Sequence, residues 1–265
     1  MTTLKNLKVK WGGGAHKSHF LNFTLFDLLF FEQYSVKINN KVRNHEVCMK
    51  KAFTLAEVLI TLGIIGIVAA MTMPTLIHNH NKKVIETRLK KFYSSINQAI
   101  LLSEADNGDK KDWADFDRTQ NPNCIGGKLD SEACVTDFYN KYLKKYLKTA
   151  ENARYISSLS GLCVFFADGS AVLIKYAGGD YTFYPYAKSI DKKNNVNSKD
   201  YFWFALYPAG AAGKRNEYFY NKGVEPYIEA DWDGTEEGLK ADARNYAKII
   251  QLNNWKIPDD YPIKI

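Results

Sequence analysis

From Val58 to Ile77 the chain runs for 20 residues without a charge, VLITLGIIGIVAAMTMPTLI. At ~1.5 Å per residue, a helix of that length reaches ~30 Å, the hydrocarbon thickness of a bilayer. A buried core helix is the plainer alternative, but it suits apolar runs of about 10–14 residues better. Lys50 and Lys51 stand just before the run, and the positive-inside rule holds that end in the cytoplasm. The remainder then lies outside the cytoplasmic membrane, attached by a single pass. A secretory signal peptide is a second reading. It would take Lys50 and Lys51 as the basic region, Val58–Ala70 as the apolar region, and Val68 and Ala70 as the small residues of a cleavage signal. The apolar run, however, continues past that cut.

The charge distribution agrees with an anchored chain. The 265 residues carry a formal charge of +7, which taken whole invites a nucleic-acid or anionic-membrane surface. Residues 1–52 hold nine Lys/Arg against three Asp/Glu, net +6, whereas residues 53–265 hold 27 against 26, net +1. The bulk of the protein is nearly neutral, so no nucleic-acid partner is expected. Apolar residues at 46% and charged residues at 25% are ordinary globular usage and exclude wholesale disorder.

Three details refine the membrane helix. Glu57 sits one turn inside its apolar boundary, and a carboxylate near a membrane span is costly and suggests a functional partner. The residues around it read KKAFTLAEVLITLG. Pro74 lies 17 positions after Glu57, with Gly63 and Gly66 between them. Proline removes a helical hydrogen bond and glycine weakens a helix, so the span is able to bend or melt locally.

On these residues the chain resembles the type IV pilin and type II secretion pseudopilin superfamily, closely over Lys50 to Ile77 and more loosely from Phe53 onward. The resemblance implies a prepilin peptidase cut between Ala52 and Phe53, with Phe53 as the N-methylated first residue, Glu57 the fifth and Pro74 the twenty-second. The family's usual residue before the cut is glycine. Ala52, also small, departs from it. The resemblance further implies that Glu57 of one subunit meets the terminal amine of a neighbour as a filament grows, two charges tolerable as a pair in a low-dielectric bundle. A lone glutamate reaching back to the interface is the simpler alternative.

Residues 1–52 are read as a leader, within which residues 1–48 are expected to be an over-extended start. Their one apolar stretch, Phe20–Phe31, is 12 residues long and interrupted by Asn22 and Asp27, too short to span. Met49 precedes Lys50 directly and is the expected initiator. Residues 53–77 form the transmembrane and assembly helix. Residues 78–105 continue it as an amphipathic helix, with Val84, Ile85, Leu89, Phe92, Ile96, Ala99, Ile100 and Ser103 at three- and four-residue steps. The Asp106-Asn107-Gly108-Asp109 cluster ends it.

Residues 106–265 read as a globular head. A helix is expected near Val135–Glu151. Two β-prone runs flanking Asp168-Gly169 form a hairpin, and Gly178-Gly179-Asp180 turns into a third strand at YTFYPYA. Tyr201–Tyr207 and Glu217–Tyr220 are further strand candidates, and a late helix runs near Glu236–Leu252. The fold class is therefore α+β, a long N-terminal helix on an antiparallel sheet, which is also what pilin-like heads look like. Three cysteines follow the cut, Cys124, Cys134 and Cys163, in a compartment where disulfides persist. Cys124–Cys134 is one pairing, and a bridge from either to Cys163 is its competitor.

Other chemistry fails on inspection. GAAGKR at Gly210–Arg215 lacks the first glycine and the hydroxyl residue of a phosphate loop. DWDGTEEG at Asp231–Gly238 is acidic, but Gly234 is misplaced for an EF-hand, so a solvated loop is preferred over a calcium site. His78 and His80 sit on different faces of a helix at the membrane exit and read as interfacial polar residues. No metal, cofactor or catalytic constellation is expected, and the protein is read as a non-enzyme. The expected role is a structural subunit, pilin, minor pilin or pseudopilin, of a type IV filament or type II secretion pseudopilus. Its partners are other pilin-like subunits, prepilin peptidase, an inner-membrane assembly platform and lipid. A single-pass anchor carrying an extracytoplasmic binding or sensor head is the alternative, and an exported enzyme comes third.

Overall fold

In the computed structural model the apolar run and the amphipathic stretch after it form a single helix, α1, Leu55–Asn107. The structure describes residues 53–113, 124, 129–210 and 215–265; the leader expectations, the Met49 start and most of the GAAGKR segment lie outside them. The stem and the head lie in one compact unit, Ala56–Ile265. Helix α1 ends at Gly108, whose left-handed φ of 82° lets its N–H return to Glu104 O at 2.9 Å.

The head is an antiparallel meander. Strands β1 (Arg154–Ile156), β2 (Gly161–Phe165), β3 (Ala171–Lys175), β4 (Asp180–Tyr184), β5 (Phe202–Ala205) and β6 (Glu225–Pro226) lie in the sheet in chain order. Period-2 alternation sorts their side chains between two faces. Val164, Val172, Phe183 and Phe204 point to α1, while Cys163, Ala171, Leu173 and Tyr184 form a separate cluster on the reverse face. The buried stripe of α1 comprises Ile85, Leu89, Phe92, Ile96, Ala99, Ile100 and Ser103, as its spacing predicts, with Val84 only half-buried. Phe92 anchors it, stacked 4.5 Å from Phe183 and edge-on to Phe204 at 5.2 Å. The expected hairpin forms at Asp168-Gly169, where Gly169 takes φ 79°.

Several elements differ from expectation. Instead of a helix over Val135–Glu151, a short helix α2 (Glu132–Phe138), capped by Ser131, passes into a π turn at Tyr139–Leu143. The wider turn keeps Tyr139, Tyr142 and Leu143 all buried. Instead of the expected Glu217–Tyr220 strand, Glu217–Phe219 end a helix, α3 (Arg215–Phe219), and Tyr220 lies in the turn after it. Packing overrides β propensity there: the helical turn seats Phe219 in a cluster with Ile228, Leu239 and Ile249. The late helix is split into α4 (Glu236–Lys240) and α5 (Tyr246–Leu252). Asp242 breaks it: its carboxylate accepts from Arg244 N at 2.7 Å, a local bond that competes with the helical ladder. Strands β1 and β6, three and two residues long, carry no alternation long enough to read.

Cys124 and Cys134 are joined in a disulfide, and Cys163 is a buried free thiol. Closing a loop of that length contributes about 2–3 kcal/mol in the chain-entropy view. Burial pushes the Cys163 thiol up to about 12, against a smaller opposing effect of Arg154. The native protein at pH 8 should therefore take no iodoacetamide at Cys163, and denaturant should expose it; peptide mapping by mass spectrometry reads both. Alkylation of the native form at the rate of a free thiol would contradict this burial.

Candidate functional site

The first third of α1 is where chemistry and exposure disagree with an ordinary soluble fold. Its large apolar side chains are 40–80% exposed, Leu59, Leu62, Ile65 and Leu76 at 60–69% among them, and no part of its most apolar stretch is buried against the head. An exposed apolar surface this long marks contact with lipid or protein. Two of its hydroxyl groups are satisfied within the helix: Thr61 Oγ1 donates to Val58 O and Thr72 Oγ1 to Val68 O, each at 2.9 Å. That suits a medium without water.

The sequence-derived residues fall along this segment. Phe53 is 86% exposed. Glu57 occupies the first turn of α1, where the helix dipole favours an anion. A side chain at Gly63 or Gly66 would meet nothing within 4 Å, so neither glycine is required by packing inside the chain. Pro74 lies within the helix and cannot donate to the Ala70 carbonyl. The helix continues through it.

Below the exposed segment, three side chains one turn apart grip the stem to a tail segment. His78 Nδ1 lies 2.7 Å from Ile265 O. Lys82 pairs with Asp259 at 3.1 Å. Glu86, 8% exposed, accepts from Ile257 N at 2.9 Å and from Lys256 Nζ at 3.1 Å. His78 is thus a tether of the stem, as the sequence could not reveal, since its partner lies 187 residues away. Glu86 escapes sequence reasoning for the same cause, and a Glu next to a core position looks like solvated surface. Glu86→Ala leaves the Ile257 N–H buried and unpaired. The expected cost is about 1–3 kcal/mol, with faster proteolysis of segment 256–265 as the readout.

Higher on α1, Arg88 donates to Pro185 O at 2.6 Å and to Asp168 O, and covers the Tyr186 ring at 4.9 Å. Lys91 bonds the Asp168 carboxylate at 2.8 Å. Burial would raise the Asp168 pKa, but bonds from Lys91 and Ser170 leave it below the usual value. These contacts lock the β2–β3 turn to the helix. Among the described residues, no group of three or more His, Cys, Asp or Glu is placed to hold a metal ion. In the acidic loop, Asp233 Oδ1 accepts from Thr235 N at 2.9 Å and Thr235 Oγ1 at 2.7 Å.

A helix that can cross a membrane, joined without a break to the stem of an α+β head, defines the architecture of a pilin-like protein. Residues 48–73 match the prokaryotic N-terminal methylation motif, characteristic of type IV pilins and pseudopilins. The chain is a type IV pilin-like precursor of the kind processed by prepilin peptidase. Residues 75–265 match a second model, and the chain belongs to that family, described as a family of unknown function (DUF6613). The two matches meet at Pro74. No curated protein and no solved structure matches the chain.

Proposed function

We propose that this protein is a structural subunit, pilin, minor pilin or pseudopilin, of a type IV filament or type II secretion pseudopilus. The observation that supports it is the division of α1: one helix, apolar and uncovered over the methylation motif, buried in the head beyond it. In this reading residues 1–52 are a leader, residues 53–77 the transmembrane and assembly helix, residues 78–105 its amphipathic continuation and residues 106–265 the head outside the cytoplasm. Prepilin peptidase cuts between Ala52 and Phe53, and Phe53 is methylated. The terminal amine of one subunit then meets Glu57 of a neighbour at an inner-membrane assembly platform. Helices leave lipid for a helix bundle, an exchange of one apolar surroundings for another, so packing and the one charged pair decide the register. Gly63, Gly66 and Pro74 allow the helix to bend as it changes surroundings.

Mass spectrometry of the mature terminus tests this reading. An N-methylated Phe53 is expected. A terminus near Ala70 would indicate a secreted protein, and an uncut leader would indicate a simple anchor; either would overturn the proposal.

A further inference from the structure

Between α2 and the segment that leads into β1, the head carries a polar cleft of about 340 Å³. We propose that this cleft is a binding site for a neutral saccharide, one sugar ring in size. The filament reading assigns the head no ligand, and the site stands on its own geometry.

One wall is α2 with the π turn that follows it. Thr136, Asn140 and Lys144 succeed one another at four-residue steps and line the cleft together. In a plain α-helix such steps drift around the axis, because a turn takes 3.6 residues. Here Lys144 N donates to Tyr139 O, five residues back, at 2.8 Å. That wider turn returns Lys144 to the face of the other two. π turns are rare and recur at functional sites. The facing wall precedes β1 and contributes Glu151 and Asn152. It is fixed to the sheet by Ala150 N, which donates to Phe165 O at 2.9 Å. Tyr139 and Leu162, both buried, supply a small apolar surface at the base.

The polar lining is uncommitted. The side chains of Thr136, Asn140, Lys144 and Asn152 make no hydrogen bond or ion pair among the described residues. Each asparagine amide offers donors and an acceptor, and the threonine hydroxyl does both. A sugar hydroxyl likewise donates and accepts, so neighbouring hydroxyls on one ring suit two amides, while its C–H face suits the apolar base. Charge disfavours an ion, because Lys144 and Glu151 line the cleft together and balance. A wholly apolar ligand would cover the amides and leave them unpaired. Ligand pockets span about 300–1,000 Å³, so this cleft has room for a single ring rather than a chain.

The test uses the full-length chain in a detergent without a sugar headgroup. D-Glucose, D-galactose, D-mannose and N-acetyl-D-glucosamine are titrated in turn, with binding read by saturation-transfer NMR. At least one should bind with a Kd of about 1 mM, the strength expected of so small a ligand. Asn140→Ala or Asn152→Ala alone should weaken it about threefold, and the two together roughly tenfold, through lost amide hydrogen bonds. Thr87→Ala with Ser94→Ala, in a separate cleft between α1 and residues 254–256, should leave binding unchanged. All four are exposed side chains, and protection of Cys163 from alkylation reports that each variant is folded. Binding by none of the four sugars overturns the proposal, as does equal binding by the parent and the asparagine variants. Inorganic phosphate or trialanine binding in place of every sugar overturns it too. None of these results touches the filament reading, which the mature terminus tests.

Discussion

Replacing Glu57 with leucine should give a chain that inserts, loses its leader and stays in the membrane, yet forms no filament. A carboxylate within a membrane helix costs about 2.5–3.5 kcal/mol toward the bilayer centre, so the leucine variant should insert at least as well as the parent. In the proposed assembly, what it loses is a partner for the amine left by cleavage, one helical turn back on a neighbouring copy. An amine entering an apolar bundle alone has no compensating interaction, and each added subunit repeats the deficit. Glu57→Asp keeps the charge on a shorter arm and should retain part of the polymer. Filament yield is read by shearing and microscopy, and processing by the mature mass. Filaments of the leucine variant at the parental level would remove Glu57 from the assembly mechanism. A head that only binds or senses would be indifferent to the change.

The largest effect on the head is expected from Gly178→Ala. Residues Tyr176–Gly178 form a turn in which all three take left-handed φ, 51°, 52° and 85°. The turn receives α2 and the disulfide segment: Ala177 packs with Cys124 and Cys134, and Ala177 N donates to Leu129 O at 2.8 Å. A Cβ at Gly178 would fall 2.0 Å from Phe138 Cε1, inside a fully buried ring. The left-handed backbone costs an alanine about 1–2 kcal/mol, and displacing packed core adds about 1–3 kcal/mol. A loss near 3 kcal/mol is expected, roughly 6–12 °C in Tm for a domain of this size. Gly108→Ala separates the two contributions. Gly108 has φ 82° but nothing within 4 Å of a Cβ, so only the backbone cost of about 1–2 kcal/mol should appear. Equal losses at both positions would mean the Phe138 contact is not the obstacle. Thermal unfolding of the full chain in detergent measures both.

The chain announces the part of its behaviour that depends on local order. An uncharged run of bilayer length, a glutamate near its start and a proline near its end are neighbours in sequence, and their meaning does not depend on folding. The stripe Ile85, Leu89, Phe92, Ile96 and Ile100 is equally legible, because helical periodicity is a local property that any apolar partner will satisfy. The meander from β2 to β4 follows from Asp168-Gly169 and Gly178-Gly179, turn chemistry again confined to a few residues. The head's remaining details are long-range. Whether Glu217–Tyr220 is strand or helix depends on the pocket that receives Phe219. The roles of Glu86 and His78 depend on a tail 171 and 187 residues away. Local hydrogen bonding and periodicity thus specify the membrane-capable helix and the fold class, whereas burial and pairing between distant segments choose which polar side chains hold the head to its stem.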